Sequence, residues 1–173
     1  AGNGIMLAFS YLSGNVVVAR SIDAGRTWST SSPAALAGAT IPERWYDADS
    51  QRFWLCGSLP SDGSSLWYSS DGITWTHISA ESSIGSRASR IAASGDLLVV
   101  SAAPDTWGIW ISTNLGATWT RTPALPQTGI AEPFLGRWNG AFRVAVGTTL
   151  YSSPDLSAWT SISAPAALQA FAT

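Results

Sequence analysis

A turn that ends in tryptophan occurs four times in this chain of 173 residues. The four copies, which we call the Trp turns, read SIDAGRTW, SSDGITW, STNLGATW and SSPDLSAW. Their tryptophans lie 47, 44 and 40 residues apart, at Trp28, Trp75, Trp119 and Trp159. A sequence that repeats with a period of about 40 residues folds into an array of similar units. This repeat therefore restricts the fold more than any other feature of the chain.

Short apolar segments bounded by turn residues precede each Trp turn. In the second unit they read ERWYDAD, RFWLCGS and SLWYSS, and the third and fourth units carry counterparts. Segments of this length, rich in β-branched and aromatic residues, are typical of β-strands. Four units of about 43 residues match the repeat length of propeller blades. The sequence predicts an all-β protein, a β-propeller of four blades with four antiparallel strands each.

The first unit lacks a segment for its innermost strand, whereas the chain ends with a spare one, from Leu168 to Thr173. We expect this last strand to complete the first blade, because closing the ring covers the two end faces that an open array exposes. The predicted domain is the single propeller 1–173. Its blades cover approximately 168–173 plus 1–30, 43–78, 88–122 and 133–163.

The Trp turns resemble the Asp-box, or bacterial neuraminidase repeat, with the pattern Ser-x-Asp-x-Gly-x-Thr-Trp. The first copy matches throughout, the second is one residue shorter, and the third has Asn in place of Asp. The fourth keeps Ser152 and Trp159, with Asp155 displaced and no Gly. The residues assigned to the motif are Ser21, Asp23, Gly25, Thr27, Trp28, Ser69, Asp71, Gly72, Trp75, Ser112, Asn114, Gly116, Trp119 and Trp159.

In such a turn the Asp or Asn oxygen accepts hydrogen bonds from turn amides, and glycine allows a positive φ. The tryptophan fills space between outer strands. Asp23 and Asp71 are therefore interpreted as structural residues and not as catalytic acids.

Asp-box propellers include sialidases, other glycoside hydrolases, sorting receptors, photosystem assembly factors, lectin-like proteins and phage tail components. The amino-acid sequences of the repeats most resemble those of phage tail and other extracellular binding proteins. This resemblance implies a non-catalytic module that recognises a glycan or a cell-surface receptor, in an extracellular or virion-associated protein. Two alternatives stay open, a structural or assembly scaffold and a fragment of a sialidase-like glycoside hydrolase.

Charge and composition exclude several other functions. The net charge is −2 and the nine basic residues are scattered, so no basic stripe is available for nucleic acid. The longest apolar runs are strand-sized, so insertion into a membrane is not expected. With Cys56 as the one cysteine and His77 as the one histidine, no metal site or cofactor is predicted.

The sequence does not predict an enzyme. The Arg-Ile-Pro segment that sialidases carry near their start has only a reordered counterpart here, from Ile41 to Arg44. Four units fall short of the six that sialidase propellers use. The acids outside the Trp turns show no spacing that singles out a pair of catalytic carboxylates. His77, which follows a predicted outer strand, is interpreted as a solvated side chain.

The candidate ligand site lies in the loops that enter the innermost strands and join the second and third strands. Its residues are Glu43, Arg44, Trp45, Arg87, Arg90, Trp107, Glu132 and Arg137. Aromatic rings suit the apolar face of a sugar, and charged groups suit its hydroxyls or a carboxylate. In the alternative interpretation the tryptophans pack between blades and the charges form surface ion pairs. The oligomeric state stays open, including a larger assembly or two chains that share one eight-bladed ring.

Overall fold

A computed structural model of the chain describes residues 1–84, 88–102, 108–122, 125, 134–146 and 149–163. Within these residues, fifteen strands form four antiparallel sheets, and the helical structure is one short turn at Ala34–Leu36 and one short helix, Glu81–Ile84. This confirms the prediction of an all-β chain with four blade-like sheets. No helix in the described ranges is both long enough and apolar enough to cross a membrane.

The strands of each sheet follow one another in chain order, and in sheets 2, 3 and 4 the first strand is the innermost. Sheet 1 has three strands, β1 (Met6–Leu12), β2 (Asn15–Ser21) and β3 (Ser29–Ser31). Sheet 2 consists of β4 (Thr40–Asp47), β5 (Arg52–Leu59), β6 (Asp62–Ser69) and β7 (Thr76–Ser79). Sheet 3 consists of β8 (Ala88–Ser94), β9 (Leu97–Ala102), β10 (Gly108–Ser112) and β11 (Thr120–Arg121). Sheet 4 consists of β12 (Phe134–Trp138), β13 (Ala141–Val146), β14 (Thr149–Ser153) and β15 (Thr160–Ser163).

Tight turns between consecutive strands explain why the chain folds back on itself so often. Asn139 and Gly140 join β12 to β13 with φ values of 51° and 72°. Two consecutive residues with positive φ are the signature of the hairpin turn whose twist matches paired strands, and Asn-Gly is the preferred pair for it. Asn139 and Gly140 therefore set the register in which Trp138 pairs with Ala141.

Three hydrophobic cores lie between consecutive sheets. Val18 and Leu55 share the core between sheets 1 and 2, and Trp54 and Val100 share the core between sheets 2 and 3. The third core includes Val144 and joins sheet 3 to sheet 4. Adjacent residues of one strand point towards the two different neighbouring sheets, because side chains alternate between the two faces of a strand. Trp54 and Leu55 are both at most 1% exposed, so sheet 2 is buried on both faces.

Sheet 1 has no strand in the innermost position that β4, β8 and β12 occupy in the other sheets. The segment predicted to fill it, residues 168–173, lies outside the described residues, so the closing strand and the domain bounds stay predictions. The sheets do not close into a ring within the described residues, where no core joins sheet 4 to sheet 1. Trp138, the last residue of β12, lies on the open side of sheet 4 and is 43% exposed.

Candidate functional site

The first Trp turn is held by hydrogen bonds from its own residues. Ser21 Oγ accepts from the amide of Gly25 at 2.9 Å and donates to Asp23 Oδ1 at 2.7 Å. Thr27 donates to the two oxygens of the same carboxylate, from its amide at 2.9 Å and its hydroxyl at 2.6 Å. All four side-chain contacts stay within the turn, so the carboxylate is occupied in holding the backbone.

These bonds favour the charged form of Asp23. The hydrogen bonds from the Thr27 hydroxyl and amide, followed by the one from Ser21, lower the pKa of Asp23 from 3.8 to about 2. The pKa of Asp155 in the fourth turn is lowered for the same reason, chiefly by the amide and hydroxyl of Ser157. Groups with such a pKa stay ionised at neutral pH and are poor proton donors there.

The fourth Trp turn uses Ser153, and not Ser152 as the sequence comparison assumed. The amide of Leu156 donates to Ser153 Oγ at 2.8 Å, as the amide of Gly72 donates to Ser69 Oγ in the second turn. Counted from Ser153, the acid and the tryptophan stand at the same spacings as in the second turn, so Asp155 is not displaced. Leu156 takes the place of the glycine, with φ of 68° against 72° at Gly72.

Glu43 and Arg90 were predicted in loops, but they lie within the first halves of the innermost strands of sheets 2 and 3, β4 and β8, where they form an ion pair. Arg90 Nη1 lies 2.8 Å from Glu43 Oε2, and each residue stands four positions before the last residue of its strand. The side chain of Arg90 is 36% exposed and that of Glu43 is 26% exposed. The structure therefore brings together two of the predicted ligand residues, with both side chains partly exposed.

Arg44 stands beside this pair on the opposite face of β4. Its guanidinium lies 5.2 Å from the centre of the Phe9 ring in sheet 1, and its side chain is exposed. Phe9, Arg44, Tyr46 and Phe53 line a cleft of about 120 Å³ between sheets 1 and 2. We call Glu43, Arg44, Arg90 and the Phe9 ring the entry cluster.

Trp45 packs between sheets, as the alternative interpretation of the sequence proposed. Its indole nitrogen donates to the carbonyl oxygen of Ala93 at 3.3 Å, and its ring contacts the cores on both sides of sheet 3. The ring is partly buried, so its main contribution is to hold β4 against β8.

Arg137 lies at the far end of the innermost strands from the entry cluster. It is the penultimate residue of β12, and its Nη1 lies 2.9 Å from Asp49 Oδ2 in the turn between β4 and β5. Ser94 Oγ donates to the same oxygen at 2.5 Å. Asp49 thus connects sheets 2, 3 and 4, a role that the sequence analysis did not assign to it.

Asp47 supports that turn from inside the fold. It is 1% exposed and accepts hydrogen bonds from the amide of Asp49 at 3.0 Å and the amide of Gly95 at 2.8 Å. The Asp-Ala-Asp-Ser run between two strands indicates such a turn, because Asp side chains hydrogen-bond to amides two residues ahead. The contacts that Asp47 and Asp49 make with sheets 3 and 4 join residues far apart in the sequence, so no short sequence pattern predicts them.

Three of the predicted ligand residues, Arg87, Trp107 and Glu132, lie outside the described residues. Among the residues that the structure does describe, no three His, Cys, Asp or Glu side chains are placed to hold a metal ion.

His77 is not simply a solvated side chain. Its Nε2 lies 3.3 Å from Oδ2 of the buried Asp62 and 3.1 Å from Oγ of Ser65. Both contacts are made by the same ring nitrogen, whereas a serine–histidine–aspartate relay uses the two different nitrogens. The three side chains therefore tie β6 to β7 without forming that relay.

Comparisons with known proteins establish the class of fold. No protein-family description and no curated protein matches the sequence. Among solved structures, a GH74 xyloglucanase from Xanthomonas campestris is similar with a TM-score of 0.60 and 16% identity, over 95% of this chain and 30% of that one. A Trypanosoma rangeli sialidase in complex with sialic acid is similar with a TM-score of 0.57 and 17% identity, over 93% of this chain and 36% of that one.

Both similar structures are β-propellers, and together with the four sheets they confirm the β-propeller fold. The chain spans about a third of their length, 30% and 36%. Both are also enzymes, and with that finding the prediction that this chain is not an enzyme is wrong. At 16–17% identity the likeness concerns the fold and establishes no activity for this chain.

Proposed function

We propose that this chain is a carbohydrate-binding β-propeller and that the sugar contacts the entry cluster. The observation that carries the proposal is the ion pair between Glu43 and Arg90, which is held between two sheets while both side chains stay partly exposed. Arginine and carboxylate groups that are fixed in position make directional hydrogen bonds to hydroxyls, and an arginine also pairs with a sugar carboxylate.

The aromatic neighbour supports the same ligand class. The guanidinium of Arg44 lies over one face of the Phe9 ring, and both residues line the cleft between sheets 1 and 2, so an aromatic ring and a planar cation are both present there. A sugar presents an apolar face and a polar rim, which such a surface can match. The similar structures, a xyloglucanase and a sialidase with bound sialic acid, favour a carbohydrate over a protein receptor. The proposal includes a location outside a cell or on a virion.

Titration calorimetry with a sialylated oligosaccharide and a xyloglucan oligosaccharide tests this proposal. We expect one of the sugars to bind, and Glu43→Gln and Arg90→Gln each to weaken binding about tenfold or more, since each removes a charged hydrogen bond. The matched control is Arg52→Gln, because Arg52 also faces an acid of sheet 3, Asp96 at 3.9 Å, and also stacks on a ring. It stands at the other end of the sheets and should leave the affinity unchanged.

Equal losses from Arg52→Gln and Arg90→Gln, or no binding of either sugar, would contradict the proposal and favour the scaffold interpretation. Product release is measured in the same samples. If Glu43→Gln abolished sugar cleavage while leaving binding intact, the entry cluster would be a catalytic site of a glycoside hydrolase rather than a binding surface alone.

A further inference from the structure

The open side of sheet 4 exposes a row of large apolar side chains. Phe134 is 53% exposed, Trp138 is 43% exposed and Ile162 is 65% exposed. The registers of the four strands place all three on one face, opposite the face that packs on sheet 3. We call this surface the sheet 4 end face.

The two aromatic rings of this face are held in position. Both lean over Gly136, where an added Cβ would lie 3.0 Å from the Trp138 ring and 3.2 Å from the Phe134 ring. The guanidinium of Arg143 lies 5.4 Å from the centre of the Trp138 ring and hydrogen-bonds to Ser152. The face therefore carries two aromatic rings packed over a glycine, with an arginine stacked on one of them.

Equivalent positions in the preceding sheets are buried against the next sheet. Arg143 pairs with Ser152, the residue just before Ser153, the serine that accepts the hydrogen bond in the fourth Trp turn. Trp54 in sheet 2 and Val99 in sheet 3 pair with the residues just before the corresponding serines. Trp54 is 0% exposed and Val99 is 1% exposed, each in the core shared with the following sheet. The sheet 4 end face therefore has the position of a surface that, in sheets 2 and 3, packs against the following sheet.

The other half of such a core stands at the opposite end of the chain. Ala8 pairs with Ala19 in sheet 1, at the positions where Leu55 pairs with Trp67 in sheet 2. The sheet 2 pair is at most 1% exposed, whereas Ala8 is exposed. We call the surface around the two alanines the sheet 1 end face.

The two end faces match in shape. Sheets 2, 3 and 4 present large side chains to the preceding sheet, whereas sheet 1 presents alanines there. The same face of sheet 1 also carries Met6, Val17 and Leu12, so the two alanines form a low area beside larger apolar side chains. Such a low area can receive the rings of Phe134 and Trp138, as large and small residues interlock in a packed core. Strands β1 and β2 carry no charged side chain on this face that would oppose Arg143.

We infer that two copies of this chain pack end to end, with the sheet 4 end face of each on the sheet 1 end face of the other. Within the described residues of one chain the two faces share no core, so each face is available to a second copy. A contact between two different surfaces produces a ring when it closes. Two copies give eight sheets, the upper end of the usual range of about four to eight blades.

Measuring the mass in solution tests this inference. Sedimentation equilibrium should give twice the 18.1 kDa of one chain. Trp138→Glu should give a single chain, because it places a charge in the buried contact. The control is Ile73→Glu, which adds the same charge at a side chain that is 55% exposed in the second Trp turn, outside both end faces. It should leave the dimer intact, and a monomeric unmodified chain would overturn the inference.

Cysteine pairing separates two copies from one chain that closes on itself. Ala8→Cys and Ala145→Cys place one thiol on each end face, while Cys56 is fully buried. A mixture of the two single variants should form a disulfide between chains. The double variant should link chains rather than its own two ends. A disulfide within one chain, or no disulfide in any sample, would overturn the two-copy contact, and neither result depends on sugar binding.

Discussion

At the scale of single residues, Asp23 shows how a Trp turn depends on the charge of one carboxylate. It accepts three hydrogen bonds from Ser21 and Thr27, and its pKa is lowered to about 2. A carboxyl group whose pKa is lower in the folded state contributes stability that is fully present above its unfolded pKa. For Asp23 that contribution is present above about pH 4 and is lost as the pH falls towards 2.

Asp23→Asn should remove this dependence on pH. Asn114 already holds the third turn, accepting from the amide of Thr118 at 2.9 Å, so an amide is compatible with the geometry. We expect the unmodified chain to have the higher thermal midpoint at pH 7 and the difference to vanish near pH 2. Circular dichroism across this range measures it, with Asp96→Asn as a control outside the Trp turns. A difference that stays constant down to pH 2 would contradict the prediction.

Leu156 combines a strained backbone with a buried side chain. Its φ is 68° and its side chain is 2% exposed in the core between sheets 3 and 4. Leu156→Gly relieves about 1 kcal/mol of strain but removes a core side chain worth roughly 2–5 kcal/mol, so we expect a net loss of about 1–4 kcal/mol in denaturant unfolding. Ala24→Gly is the control, since Ala24 has φ of 58° but is exposed, and its replacement should be neutral or slightly stabilising.

At the scale of strands and turns, the sequence predicted most of the architecture because its signals there are local. A hairpin turn such as the one at Asn139 and Gly140, or an alternation of apolar residues, depends only on residues that are a few positions apart in the sequence. Ser153 was missed because two serines stand side by side and the fourth turn was aligned with the longer first turn, whereas its spacing matches the shorter second turn; the hydrogen bond from Leu156 identifies Ser153. The contact of Asp49 with Arg137 joins two different sheets, so no spacing along the chain predicts it.

The edge of β1 allows a test of the predicted closing strand. In the other three sheets an innermost strand covers the equivalent edge, and residues 168–173 are proposed to cover this one. Deleting 168–173 should then speed hydrogen exchange of amides in β1, because their partners are removed. Amides of β9 serve as the internal reference, since β9 is paired on both sides. Unchanged exchange in β1 would show that another segment, or none, covers the edge.

At the scale of the whole molecule, stability depends on contacts between sheets more than within them. Each sheet is too thin to bury its own side chains, and the largest buried ones, Trp54 and Trp67, face opposite neighbours. The sequence could predict these two burials, because both lie in strands with sheets on either side. It could not predict the exposure of Trp138, because alternation specifies two faces of a strand but not whether a neighbour covers each.

The Trp turns come in two lengths that alternate along the chain. The first and third have two successive residues with positive φ, Ala24 with Gly25 and Leu115 with Gly116. The second and fourth are one residue shorter and have a single such residue, Gly72 or Leu156. The turn geometry therefore recurs with every second sheet, so the smallest unit that superimposes turn on turn is a pair of sheets.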